Sequence, residues 1–233
     1  MRNKLKSFQK TIVKILEPIM PTNILDLPCG NGWLVKSLKF NAEVDGIDLY
    51  DSKPENYRNF QRVYLDKGLP ENLIRYDAIV SCEGIEHLGN PLLFLEDVFK
   101  HLNKEGMLII TTPNIWYPAS KLKFLFRGFF PSFPSLIGKI EKGSHMHIMP
   151  WSFSSIYVFL KLAGFEYIKI HDVHEKKPRH FFEMFFGWPQ KKYCMRKIRL
   201  SKSEEEKEFW KNAGSIQSLY GRHLVVSAIK DKQ

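Results

Sequence analysis

The sequence predicts an α/β chain built on a mostly parallel sheet. Three observations predict it: short apolar runs that end on an acid or a glycine turn, amphipathic stretches between them, and a glycine-punctuated turn where the first run stops. That first run, Ile24-Leu25-Asp26-Leu27, passes through Pro28 and Cys29 into Gly30-Asn31-Gly32. Glycines there let the backbone approach a ligand where a Cβ would collide. The second run, Val44-Asp45-Gly46-Ile47-Asp48, ends on a carboxylate 22 residues after Asp26. A ribose-binding acid is expected at about that interval from a nucleotide-binding turn.

The remaining elements follow in order. Leu5, Phe8, Ile12, Ile15, Leu16 and Ile19 recur at helical spacing, so residues 4–17 read as an amphipathic helix that caps the sheet. The glycine turn should open a second helix. Arg62–Asp66 reads as a third strand and Tyr76–Cys82 as a fourth. Pro91 starts a helix and Gly106 marks its end, before a fifth strand through Thr112-Pro113-Asn114. Residues 115–150 break this rhythm with aromatic, basic and proline-punctuated sequence, and read as an inserted lid or acceptor segment. Ser152–Leu162 reads as a helix closed by Gly164, Glu166–Val173 as a strand, 175–200 as a second variable segment, and Ser203–Lys211 as an acid-rich helix start. Arg222–Lys230 is the seventh strand. All of this fits one domain of 233 residues.

Composition narrows the partners. Eighteen Phe, nine Tyr and five Trp exceed what a core of this size needs, so some should line a binding surface. A net charge of +10 suits an anionic partner, whether nucleic acid, acidic glycan or membrane surface, or serves solubility alone. Three cysteines without metal spacing point to a reduced, cytoplasmic compartment. The charged N-terminal stretch is not a signal-peptide core, and no apolar run is long enough to span a membrane. Peripheral contact at the inner membrane face stays open.

The nucleotide pocket is not a dinucleotide or P-loop site. Val35 stands where a third glycine would be, and no Gly-Lys-Ser/Thr follows. The glycine turn, Asp48, Asp66, the Tyr76–Cys82 strand with Glu83-Gly84-Ile85-Glu86-His87 behind it, and the strand ending Thr-Thr-Pro-Asn occur in an order that resembles the class I S-adenosylmethionine-dependent methyltransferases. The resemblance covers residues 22–114 strongly and 145–174 and 219–230 more loosely. It implies a Rossmann-like, seven-stranded, mostly parallel sheet with helices on both faces and an antiparallel last strand. It implies S-adenosylmethionine as cofactor. Asp26 would lie near the methionine ammonium, and the amides of Gly30 and Gly32 near the carboxylate. Asp48, with Leu49 beside it, would meet the ribose, Asp66 the adenine amino group, and Cys82 and Glu83 the methionine moiety. Pro28 and Cys29 belong to the same turn. Pro28 departs from the family's usual glycine and removes one amide donor.

A second constellation is Glu83-x-x-Glu86-His87 with the later His145-Met146-His147. It resembles the turn of the ubiquinone-biosynthesis O-methyltransferases and the metal site of small-RNA 2′-O-methyltransferases. Carried over, Glu83, Glu86, His87 and His147 become ligands for a divalent metal. The metal-free alternative leaves Glu86 and His87 as structural hydrogen-bonding groups, with His147 or His145 as the base. The expected activity is O-methylation of a hydroxyl on a sugar or lipid-linked glycan precursor. RNA 2′-O-methylation with metal assistance and quinone or phenol O-methylation are the other enzymatic readings, and a cofactor-binding scaffold is the non-enzymatic one.

Overall fold

The computed structural model describes residues 5–51, 54–130, 147–178 and 180–231. Strands β1 (Asn23–Asp26), β2 (Glu43–Asp48), β3 (Phe60–Arg62), β4 (Tyr76–Cys82), β5 (Leu102–Pro113), β6 (Glu166–Ile170) and β7 (His223–Ile229) form one sheet in the order β3-β2-β1-β4-β5-β7-β6. Pairing from β3 through β5 is parallel, and β7 runs antiparallel to both β5 and β6. The predicted fold class is what the chain adopts.

Side-chain alternation along the central strands builds two cores. Leu25, Ile79 and Leu108 point to one face, where Phe94, Leu160 and Phe165 meet them. Ile24, Ala78, Val80 and Ile109 point to the other, against Phe8, Ile12 and Leu16 of helix α1 (Ser7–Leu16). Strand β4 is therefore buried at every position but Asp77, as a strand covered on both faces must be. Helices α2 (Pro91–Lys100) and α4 (Phe153–Leu162) cover the first face. Both start on a side-chain cap: Asn90 accepts from the Leu93 amide, and Ser152 exchanges hydrogen bonds with Ser155. Among the described residues no helix is long and apolar enough to cross a membrane.

Several boundaries differ from the sequence reading. The helix expected after the glycine turn shrinks to a single 3₁₀ turn, Val35–Ser37. Ser37 turns its hydroxyl back to the Trp33 carbonyl, 2.6 Å away, a local bond that competes with helix propagation. Strand β3 ends at Arg62 rather than Asp66. Leu65–Lys67 forms a 3₁₀ turn instead, because Asp66 Oδ1 accepts from the Gly89 amide at 2.7 Å and is drawn toward the start of α2. Gly106 does not end a helix. It sits inside β5, beside Glu105 at φ +62°, where the pairing with β4 slips between Tyr76–Leu102 and Ala78–Met107. The 175–200 segment is largely one helix, α5 (Glu183–Leu200). Helix α3 (Pro118–Arg127) occupies the early part of the insert, and residues 131–146 of it lie outside the described residues. Helix α6 (Glu204–Ala213) starts on Ser203 as the acid-rich stretch suggested, and α7 (Ile216–Tyr220) was not anticipated.

Phe94 is fully buried where α2 meets the sheet. Phe94→Ala should lower unfolding free energy by about 3–5 kcal/mol, measured as a fall in the denaturant midpoint with an unchanged slope.

Candidate active site

The carboxyl ends of β1, β2 and β4 converge on the glycine turn. Gly30 and Gly32 have φ of +53° and +71°, backbone that side chains other than glycine seldom adopt. Asp48 holds this turn: its Oδ2 accepts from the Gly30 amide at 2.8 Å and its Oδ1 from the Tyr50 amide at 3.1 Å. The Gly32 amide donates to the Cys29 carbonyl at 3.0 Å. The two amides expected to receive a cofactor carboxylate are thus already engaged inside the protein. Pro28 follows a cis peptide bond and packs against Gly84, where a Cβ would come within 2.4 Å of its ring.

Asp26 is completely buried, and only one of its oxygens is satisfied. Tyr57 donates its hydroxyl to Oδ2, while Oδ1 has no hydrogen-bond partner. Burial pushes its pKa up to about 7, the Tyr57 bond pulls it down, and the charge of Asp48 adds to the rise. Tyr57 was not foreseen. It lies in the irregular connection after β2 and covers Gly46, where a Cβ would stand 2.8 Å from its ring, and Gly32, where the distance would be 3.1 Å. Its contact with Asp26 spans 31 residues, so no local pattern could announce it.

The second cluster forms just past β4. Glu83 holds φ +56°, a costly conformation for a residue with a Cβ, and its amide donates to the Thr111 carbonyl at 3.0 Å. Its carboxylate lies beside the Thr111 hydroxyl, 3.5 Å away. Burial pushes the Glu83 pKa up, with His223 and Lys6 acting against it. Glu86 is 2% exposed and accepts from the Thr112 hydroxyl at 2.9 Å. Burial, then the charge of Glu83, push it up to about 8. The Glu86 carbonyl accepts the amides of Ile148 and Met149 at 2.8 and 3.1 Å, which fastens the 147–149 segment against β4. His147 thereby meets His87 edge-on, ring centroids 5.0 Å apart. Burial and the neighbouring His87 lower the His147 pKa.

Glu86, His87 and His147 can present ligand atoms within 4.8 Å of one another. Glu83 does not join them, so the predicted four-residue set is a three-residue one among the described residues. His145 lies outside the described residues. The other predicted positions scatter. Asp66 also faces the Asn90 amide at 3.3 Å. The Leu49 carbonyl accepts from Arg62. Cys29 and Cys82 are buried thiols, pushed up by burial first, the former to about 12. Asn114, read only as the end of a strand, donates to the carbonyls of Ser218 and Gly221 and ties β5 to the turn before β7.

A family profile described as a methyltransferase domain matches residues 2–170. The chain belongs to this methyltransferase family. The mitochondrial ubiquinone biosynthesis O-methyltransferase of Rattus norvegicus is 29% identical over 143 residues, covering 55% of this chain and 40% of that protein. The ubiquinone biosynthesis O-methyltransferase of Rickettsia akari is 28% identical over 146 residues, covering 59% and 56%. The match thus spans about half or less of these curated relatives. A SAM dependent methyltransferase from Archaeoglobus fulgidus shares the fold with a TM-score of 0.54 at 16% identity, covering 95% of this chain and 94% of that one. The plantazolicin methyltransferase BpumL in complex with SAH does so with a TM-score of 0.54 at 16% identity, covering 97% and 83%.

The residues present fit the cofactor. The orphaned Asp26 oxygen is a buried acceptor without a hydrogen-bond partner, and an ammonium would satisfy it. Only ionised Asp26 would hold that ammonium well, so affinity should rise as pH increases through about 7. Tyr57→Phe removes the bond that lowers the Asp26 pKa. Calorimetric titration with S-adenosylhomocysteine should show the midpoint of this rise moved to higher pH in the variant, with affinities converging at alkaline pH.

Proposed function

We propose that the chain O-methylates a hydroxyl acceptor held against Glu86, His87 and His147. The cluster at the end of β4 carries this reading, because it gathers a buried carboxylate and two imidazoles beside the cofactor cleft. S-adenosylmethionine supplies the methyl group. The acceptor oxygen takes the methyl as the carbon–sulfur bond breaks, and the acceptor's proton passes to a base. His147, lowered below its ordinary pKa, is neutral near pH 7 and able to take that proton. The same three side chains suit a divalent cation, whose chemistry there would be to lower the pKa of a bound hydroxyl.

The ring hydroxyl of an apolar-tailed phenol or quinone precursor is the acceptor we favour, supported by the ubiquinone-biosynthesis relatives. A sugar hydroxyl on a lipid-linked glycan is the second reading, favoured by the outer surface of α3 and α5. Phe126, Phe181 and Phe185 are exposed there among Lys123, Arg127, Lys191 and Lys192. The one acid among residues 118–130 and 180–202, Glu183, is buried. Such a face suits peripheral contact with lipid headgroups at the inner membrane face. Incubation with methyl-labelled S-adenosylmethionine and fractionated lysate tests this. Label is expected in the small-molecule or lipid fraction, whereas label in RNA would replace both readings with 2′-O-methylation.

Glu86 also links cation binding to stability. Its folded pKa of about 8 exceeds the ordinary value of 4.5, so the stability it contributes is complete below about 4.5 and lost as pH rises through about 8. Glu86→Gln cannot ionise. Without added metal its melting temperature should exceed that of the parent, by a margin that grows from pH 5 to pH 8. Added Mn²⁺ should raise the parent's melting temperature and leave that of the variant unchanged, while methyl transfer is lost in the variant. Full parental activity in chelator would leave His147 acting without a cation.

A further inference from the structure

A cavity of about 260 Å³ lies among α4, α5, α6 and the turn before α3, lined by Trp116, Phe153, Gln190, Tyr193, Cys194 and Trp210 among others. It shares no lining residue with the pocket against Glu86 and His147. Ile115 and Pro150 line the reactive pocket, whereas Trp116 and Ser152 line the cavity, and the Ile115 amide bonds the Trp151 carbonyl where the two segments pass from one to the other. The volume is that of a ring-sized ligand, at the small end of ligand pockets.

The walls are planar and their edge is positive. Trp116 Nε1 and Lys121 Nζ both donate to Gln190 Oε1, the latter at 2.7 Å. Lys121 Nζ also stands 4.6 Å from the centre of the Trp116 ring. This ammonium is partly removed from water, and burial pushes it down to about 8. No carboxylate among the described residues acts on it, and Cys194 is the one titratable neighbour that does. Lys121 is half-buried and does not itself line the cavity, but Gln190 and Trp116, which do, hold its ammonium at the rim, where an anion would meet a cation with no carboxylate beside it. On the other side, Lys197 Nζ lies 5.7 Å from both the Tyr193 and the Trp210 rings. Phe153 and Ser154, the first residues of α4, also line the cavity, so the positive end of that helix adds to the same field. Glu206 accepts from Trp210 Nε1 at 3.4 Å and interacts with the charge of Lys197, so Lys121 is the cation of this edge on which no carboxylate acts.

We propose that this cavity is a second ligand site, separate from the acceptor pocket, that takes a planar aromatic carboxylate. The ring stacks among the tryptophan and tyrosine side chains, and the carboxylate meets Lys121. The proposal depends on the methyltransferase reading only for calling the neighbouring pocket reactive.

Benzoate is the probe. Its binding is followed by tryptophan fluorescence and calorimetry, with S-adenosylhomocysteine titrated on the same samples. Benzoate should saturate one site, and benzamide, of the same shape without the charge, should bind at least about tenfold more weakly. Lys121→Met should weaken benzoate by about tenfold and leave S-adenosylhomocysteine affinity and thermal melting unchanged. Lys121→Arg should retain binding, and His147→Ala should bind benzoate like the parent. Benzoate that fails to saturate, that binds no better than benzamide, or that is indifferent to Lys121→Met would overturn the proposal. Loss of benzoate in His147→Ala would place the ligand in the reactive pocket and overturn it equally. Failure of S-adenosylhomocysteine to bind would count against the methyltransferase site and not against this one.

Discussion

Removing carboxylates from water at the carboxyl ends of neighbouring strands is the constraint around which this molecule is arranged. Asp26 at the end of β1 and Glu86 just past β4 are both buried and both shifted upward chiefly by desolvation, and no lysine or arginine among the described residues acts on either. A buried ionised acid is expensive unless it is paired or well hydrogen-bonded. The protein supplies Asp26 with the Tyr57 hydroxyl, and Glu86 with the Thr112 hydroxyl and its own backbone amide. That is enough to orient a carboxylate and too little to neutralise it. The cleft is therefore biased toward positively charged occupants, which suits an ammonium at one end and a divalent cation at the other.

The sheet makes this bias possible. Strand β4 lies between β1 and β5, buried on both faces, and its end can be placed accurately because its register is fixed on both sides. The strain at Glu83 sits at this exit. Its positive φ turns the chain out of the sheet, so that Glu83 stays with Thr111 while Glu86 and His87 continue to the 147–149 segment. One dihedral angle thus divides the Glu-x-x-Glu-His run between two neighbourhoods.

That division explains what the sequence could and could not tell. Strand β4 was legible to the residue, because Ala78-Ile79-Val80 form an apolar centre and Glu83-Gly84 mark its end. The caps at Ser152 and Ser203 were legible because hydroxyl capping acts over three residues. The pairing of Glu86 and His87 with a distant histidine was legible only through resemblance to other methyltransferases, since 60 residues separate His87 from His147. The direction taken by Glu83 depends on a backbone angle that no residue type specifies. Tyr57 was invisible for a related reason: its stretch has no periodicity, and its role arises from contacts with Gly32, Gly46 and Asp26, which lie far from it along the chain. Asp48 was read as a ribose-binding acid, whereas its two oxygens accept from the Gly30 and Tyr50 amides and brace the turn, a role the strand pattern does not reveal.

The pair of backbone bonds from Ile148 and Met149 to the Glu86 carbonyl has an evolutionary meaning. Main-chain contacts do not depend on which side chains are present, so the histidine end of the insert is moored in a way that substitution leaves intact. Sequence between α3 and this mooring is then free to drift in length and character without dislodging His147. On the reading of His147 as the base, such drift would alter the sequence around the base while leaving its main-chain mooring in place.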